Sequence, residues 1–207
     1  MMANIDDTSA DRLSLIVNAK LVPLFFQLLG HGFSVNVQTG TSVKELLCNQ
    51  LGIHEDYLAQ QIQTIFLNFK VVDDIKSAIV DQNATMALSG AMPGLVGAIL
   101  RSGGYYAPMR SQISHEKDQP ESQLKNGKIT LKLWNLVVKE LGPTFLQQGI
   151  WIEAEEVQSF IKRHLEALKI ECQAVELNDN PAEVDRLRKA QWKTKLVFLQ
   201  IKSEKTD

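Results

Sequence analysis

Cysteine is scarce in this chain: Cys48 and Cys172 are the only two among 207 residues. They lie too far apart for a Cys-x-x-Cys pair, which excludes a zinc knuckle or a thioredoxin-type site. Two thiols in a chain of this length also fall short of a disulfide scaffold, and a reducing compartment fits better. Charge of one sign is missing as well. Twenty-two basic residues stand against 24 acidic ones, a net charge of −2. A nucleic-acid partner would call for a concentrated basic face, so none is expected. Long apolar runs are absent: the most apolar stretch, residues 91–100, is half of the roughly 20 residues that a spanning helix needs. The opening, MMANIDDTSADR, is acidic and polar and lacks the positive and apolar regions of a signal peptide, so a cytoplasmic protein without a membrane partner is expected. Catalytic signatures are missing too. There is no Ser/His/Asp elbow, phosphate loop or dinucleotide fingerprint, and the glycine-rich residues 90–104 contain no Gly-Lys-Ser/Thr.

What is present is ordinary core-forming material, 44% hydrophobic, enough for one large or two small domains. Residues 13–19 (LSLIVNA) read as a strand. Residues 20–29 stay apolar but are interrupted by Pro23, leaving strand continuation and a short helix both open. Gly30-His31-Gly32 reads as a turn. Residues 33–38 alternate, with Phe33, Val35 and Val37 on one face, and would form a hairpin with the first strand. Ser42-Val43-Lys44-Glu45 has capping-box spacing, a cap that contributes about 1 kcal/mol. Val43, Leu46, Leu47 and Leu51 then follow helical spacing up to Gly52. Residues 54–61 extend the helical region. Strands follow at 62–67, at Val71-Val72 and at 85–88, separated by the turns Asn68-Phe69-Lys70 and Asp81-Gln82-Asn83. A hairpin, a helix across the sheet and a returning strand describe a β-grasp domain.

The strand Ile65-Phe66-Leu67-Asn68, the Val72-Asp73-Asp74 segment, the Asp81-Gln82-Asn83 turn and the strand at 85–88 resemble the small sulfur carriers of molybdopterin and thiamine synthesis, the MoaD/ThiS-like, ubiquitin-like family. The resemblance covers residues 13–97. It implies a protein that works through contacts with an adenylating or sulfur-transfer enzyme, its tail entering the partner. In the family the reactive group is the carboxylate of a terminal Gly-Gly. Here Pro93-Gly94 occupies the usual tail position, Gly97 is followed by Ala98, and Leu100-Arg101-Ser102-Gly103-Gly104 runs on into Tyr105-Tyr106. As it stands, the chain cannot carry sulfur; proteolysis after Gly104 would be required. The resemblance therefore singles out a partner-binding tail containing Pro93, Gly94, Gly97, Arg101, Gly103, Gly104 and Tyr105. Its Leu95, Val96, Ile99, Leu100, Tyr105 and Tyr106 would make a large apolar patch if exposed, or would pack between two domains.

Residues 111–128 (SQISHEKDQPESQLKNGK) have the composition of a linker, which sets the expected domains at 13–110 and 129–203. In the second half a strand is expected at 129–134 and a helix over 135–148, broken at Gly142-Pro143. A short strand follows at 149–152. Residues 155–168 are amphipathic, with Val157, Phe160, Ile161, Leu165 and Leu168 on one face. A strand at 171–177, a capped helix opening at Asn180-Pro181-Ala182-Glu183 and a last strand at 195–202 complete a small α/β sandwich, of which a ferredoxin-like arrangement is one form. The fold class is thus α+β, and the halves carry no internal sequence repeat.

Candidate chemistry is thin. His31, His54, His115 and His164 have no partner of ligand type at useful spacing, so no metal is expected. Cys48 lies in the second half of its helix, away from the N-terminus that favours a thiolate, and reads as core; Cys172 in a strand reads likewise. The carboxylate groups at Asp73-Asp74, Glu55-Asp56 and Glu153 to Glu156 fit turns and helix starts better than acid–base work. Asn83-Ala84-Thr85 matches a glycosylation sequon that has no meaning without a secretory signal. The function expected is a non-enzymatic β-grasp protein with no catalytic residues and no cofactor, linked to sulfur transfer or cofactor biosynthesis. The alternative is a small-molecule-binding or enzymatic module with a site between the two domains, lined by the glycine-rich tail.

Overall fold

A computed structural model describes residues 10–115 and 123–204. In chain order the strands are β1 (Arg12–Asn18), β2 (Phe33–Thr39), β3 (Thr41–Ser42), β4 (Thr64–Leu67), β5 (Lys70–Val71), β6 (Ile79–Val80), β7 (Thr85–Ser89), β8 (Lys125–Trp134), β9 (Ile150–Glu153), β10 (Cys172–Leu177), β11 (Asn180–Ala182) and β12 (Leu196–Glu204). The helices are α1 (Phe26–His31), α2 (Val43–Glu45), α3 (Glu55–Gln60), α4 (Gly94–Leu100), α5 (Leu136–Gln148), α6 (Ala154–Glu171) and α7 (Val184–Leu187). Turns of 3₁₀ type run over Ala19–Phe25 and Ala107–Ile113, and a π-wound turn covers Leu46–Gln50. The chain is mixed α+β, as its patterning predicts, and no helix among the described residues is long and apolar enough to cross a membrane.

Among the described residues the chain forms two compact units, one of residues 34–138 and one of residues 10–33 with 139–204. In the first unit the strand order is β2-β8-β7-β4-β5. β4 and β5 pair antiparallel across the turn expected at residues 68–70, β7 runs antiparallel to β4, and β8 lies parallel to β7 with Leu133 opposite Leu88. β8 alternates cleanly: Ile129, Leu131 and Leu133 are buried, each worth about 2 kcal/mol relative to exposure. Ser42 caps α2 as its spacing predicts, its hydroxyl accepting from the Glu45 N–H at 3.2 Å. The small β3–β6 ladder and the Lys44 N–H, which donates to the Ile75 carbonyl at 2.8 Å, fasten this helix start to residues 75–80.

The second unit orders its strands β11-β10-β1-β12-β9. β1 lies between an antiparallel β10 and a parallel β12, and β12 pairs antiparallel with β9. α6 buries the five residues its period assigns to the core, and the ring of Phe160 lies 4.8 Å from that of Phe25. Asp11, only 3% exposed, fastens the start of β1. Its carboxylate accepts from the backbone N–H groups of Lys193 and Thr194 and from the Asn178 amide. Burial raises its pKa, but these hydrogen bonds outweigh burial and hold the carboxyl below its ordinary value.

Several expectations need correction. The first strand does not form a hairpin with β2. Its buried face of Leu13, Leu15 and Val17 is completed by β10 and β12, from the far end of the chain. The division at 111–128 does not separate the units, because β8 returns to pair with β7; the second unit in turn needs residues 12–18, which lie outside the expected 129–203 domain. Residues 116–122 of the expected linker lie outside the described residues. α5 continues through Gly142-Pro143, where Gly142 packs on Leu29 and Phe26. Asn180-Pro181-Ala182 is strand β11 instead of a helix cap; α7 starts after Glu183 without a side-chain cap. Gly30 and His31 end α1, and Gly32 with φ 132° terminates it.

Candidate functional site

The residues singled out in the tail are brought together in the first unit, though not as a free arm. From Ser89 at the end of β7 the chain passes Pro93, the N-cap of α4, and Gly94, its first residue. Gly97 is buried where α4 folds back on residue 92. A Cβ there would stand 1.9 Å from the Met92 carbonyl oxygen, so only glycine allows this approach. Beyond α4 the chain runs along the start of β4. The Thr64 hydroxyl donates to the Leu100 carbonyl at 3.3 Å and the Ser102 N–H to the Gln63 carbonyl at 3.0 Å. The Ser102 hydroxyl donates to the Val72 carbonyl at 2.9 Å, and the Gly103 N–H to the Asp73 carboxylate at 3.3 Å. Gly104 then turns back, its N–H donating to the Arg101 carbonyl.

Arg110 locks this segment. Its side chain is 1% exposed and grips Asp73 through two guanidinium nitrogens at 2.9 and 2.6 Å. Its Nε donates to the Ile99 carbonyl at 2.7 Å, and its Nη atoms also reach the Arg101 carbonyl and the Ser114 hydroxyl. A buried guanidinium needs such a complete set of acceptors, and the planar fork suits a carboxylate. Sequence reasoning missed Arg110. The basic residue in the apolar run was legible, but its partner Asp73 lies 37 positions away.

The lock fixes the backbone while leaving apolar side chains outside. Leu95, Val96, Tyr105 and Met109 are 65%, 67%, 90% and 73% exposed. Arg101 and Ser102 of the same segment line a groove of about 350 Å³ with Lys44, Glu55, Leu58, Ile62, Ile65, Asp73, Lys76 and their neighbours. Lys44 and Glu55 pair across it at 2.9 Å, which raises the pKa of the amine and lowers that of the carboxyl. Two of the three carboxylate clusters thus supply partners of cations here: Asp73 of Arg110, Glu55 of Lys44.

The remaining candidates do not assemble. Burial, and then Glu55, push the Cys48 thiol upward, and burial does the same for Cys172; neither is poised as a thiolate. His31 faces Glu156 at 3.5 Å, His54 faces Asp56 at 3.6 Å, and His164 meets the Gln27 amide at 3.0 Å. Among the described residues no cluster of three His, Cys, Asp or Glu could hold a metal ion. No family model, curated protein or solved structure matches the chain.

Proposed function

We propose that the chain is a non-enzymatic binding protein whose first unit is a β-grasp-type module acting through protein contacts made by residues 91–109. The order β2-β8-β7-β4-β5, with the helical turns between β2 and β4 and the return of β7 beside β8, supports this reading. It places β8 as the neighbour of β2, where the sequence suggested β1. The wiring of the second unit favours a similar assignment over a ferredoxin-like one. The observation that carries the function is the exposed apolar set Leu95, Val96, Tyr105 and Met109 on a backbone held by a buried Arg110. An apolar patch presented on a fixed frame loses little entropy when a partner covers it. The partner class that follows from the resemblance is an adenylating or sulfur-transfer enzyme.

Carriage of sulfur by a terminus at Gly104 is disfavoured by the same contacts. Cleavage there would put Arg110 and β8 on the other fragment, taking the lock from Asp73 and the parallel neighbour from β7. The test has two arms in the native host. Intact mass is expected to give the full-length species, and a photo-crosslinker at position 95 or 105 is expected to trap one discrete partner that a crosslinker at position 162 does not. A species ending at Gly104, or identical crosslinking from all three positions, would overturn the reading.

A further inference from the structure

The groove in the first unit combines an apolar floor with a cationic rim. Leu58, Ile62 and Ile65 are buried beneath it, while Lys44, Lys76 and Arg101 supply the cations. Both lining carboxylates already face a cation. Glu55 holds Lys44 at 2.9 Å, and Asp73 is gripped by Arg110, which lies outside the lining. Lys76 also acts on Glu55, so the charge left to act on a ligand is positive and centred on Arg101, with Lys76 beside it. Arg101 is also delivered by a fixed backbone: its N–H donates to the Gly97 carbonyl at 3.0 Å and its carbonyl accepts from Arg110 at 3.3 Å. The hollow beside Trp192 in the second unit also carries lysines, but its lining has only Ala154 and Trp192 as apolar members. It offers no comparable floor.

We infer that the first-unit groove binds a small amphipathic carboxylate, its hydrocarbon part over Leu58, Ile62 and Ile65 and its carboxylate facing Arg101 and Lys76. Its volume of about 350 Å³ falls within the range of roughly 300–1,000 Å³ common for small-ligand pockets. The fork of a guanidinium matches a carboxylate, and the apolar floor distinguishes such a ligand from a bare inorganic anion. The site is separate from the exposed apolar set proposed for protein contacts, so either can fail alone.

The test is a titration of the full-length, isotope-labelled protein with octanoate, with 1-octanol and inorganic phosphate as comparison ligands, read by amide chemical shifts. Octanoate is expected to saturate and to move the amides of Ala59, Gln63 and Ser102, while 1-octanol and phosphate bind about tenfold more weakly or worse. R101Q and K76Q alter solvent-facing side chains and should each weaken octanoate roughly tenfold with an unchanged melting temperature, whereas K162Q in the second unit should not. Absence of saturable shifts at those amides, equal affinity for 1-octanol, or R101Q and K76Q binding like the parent chain would each overturn the inference.

Discussion

The two units wire their strands alike and fasten themselves differently. In each, a strand (β2 or β9) leads through a helical segment into a hairpin (β4–β5 or β10–β11). In each, the hairpin pairs antiparallel with a strand that lies parallel to the next, β7 with β8 in one unit and β1 with β12 in the other. The helix in the second unit is the 18-residue α6, kinked at His164 but with its apolar residues buried on one face; in the first it is a short α2 running into a π-wound turn. The second unit is closed by an anion, Asp11, which gathers backbone N–H groups at the start of a core strand. The first is closed by a cation, Arg110, which gathers carbonyls and a carboxylate in the segment that follows β7. One arrangement can thus be locked by either charge, provided the buried group finds a full set of partners. The segment after β7 also carries the candidate surface and lends Arg101 and Ser102 to the groove.

Breaking each lock in turn sharpens this contrast. The largest effect is expected for D11A, which strips the acceptor from two backbone N–H groups and should destabilise the second unit by about 3 kcal/mol, measured as a lower urea midpoint. Trp151 and Trp192 report on that unit and Trp134 on the first, so single-tryptophan versions separate the two responses. G149A comes next. Gly149 has φ 95°, and a Cβ would stand 2.1 Å from the Phe198 ring; a loss of about 2–3 kcal/mol by the same assay is expected. R110A should act locally, costing about 2 kcal/mol, exposing the bond after Arg101 to trypsin and leaving the Trp151 signal in place. The smallest effect is for S42A, about 1 kcal/mol from loss of the α2 cap.

The units should also differ in their response to acid. Arg163 donates to the side-chain Oε1 of Gln27 at 3.1 Å, which turns the Gln27 side-chain nitrogen toward the Leu24 carbonyl and His164 Nε2. That nitrogen of His164 must therefore accept, which requires a neutral ring. Burial, reinforced by Arg163, lowers the His164 pKa below its ordinary 6.5. The unfolded chain then takes up the proton more readily than the folded one, so stability is lost as pH falls below 6.5. Asp11, with its pKa also depressed, adds a further loss as pH falls below its ordinary 3.8. A Trp151-monitored urea midpoint that drops from pH 7.5 to 5.5 in the parent chain and less in H164Q is the expected result.

Local periodicity made much of this legible. The α6 face, the Ser42 cap, the β4–β5 turn and the alternation of β8 could all be read from neighbouring residues, because each depends on contacts a few positions apart. Partner choice could not. LSLIVNA looks equally suited to a hairpin with β2 and to a place between β10 and β12, and a strand's pattern does not name its neighbours. The polar composition of residues 111–128 suggested a boundary, yet β8 begins within it and returns to the first unit. Gly103-Gly104 raised a chemical possibility, while the residues that hold it in place, Asp73 and Arg110, could be joined only by the fold.

The Gly103-Gly104 segment is a fastened part of the first unit, held by Asp73 and Arg110. Amide hydrogen exchange of Ser102 and Gly103 in the full-length chain, compared with Phe66 in β4 and repeated in R110A, tests it most directly. Protection of both amides that collapses in R110A while Phe66 stays protected is the predicted result. Exchange of Ser102 and Gly103 at free-peptide rates in the parent chain would contradict it.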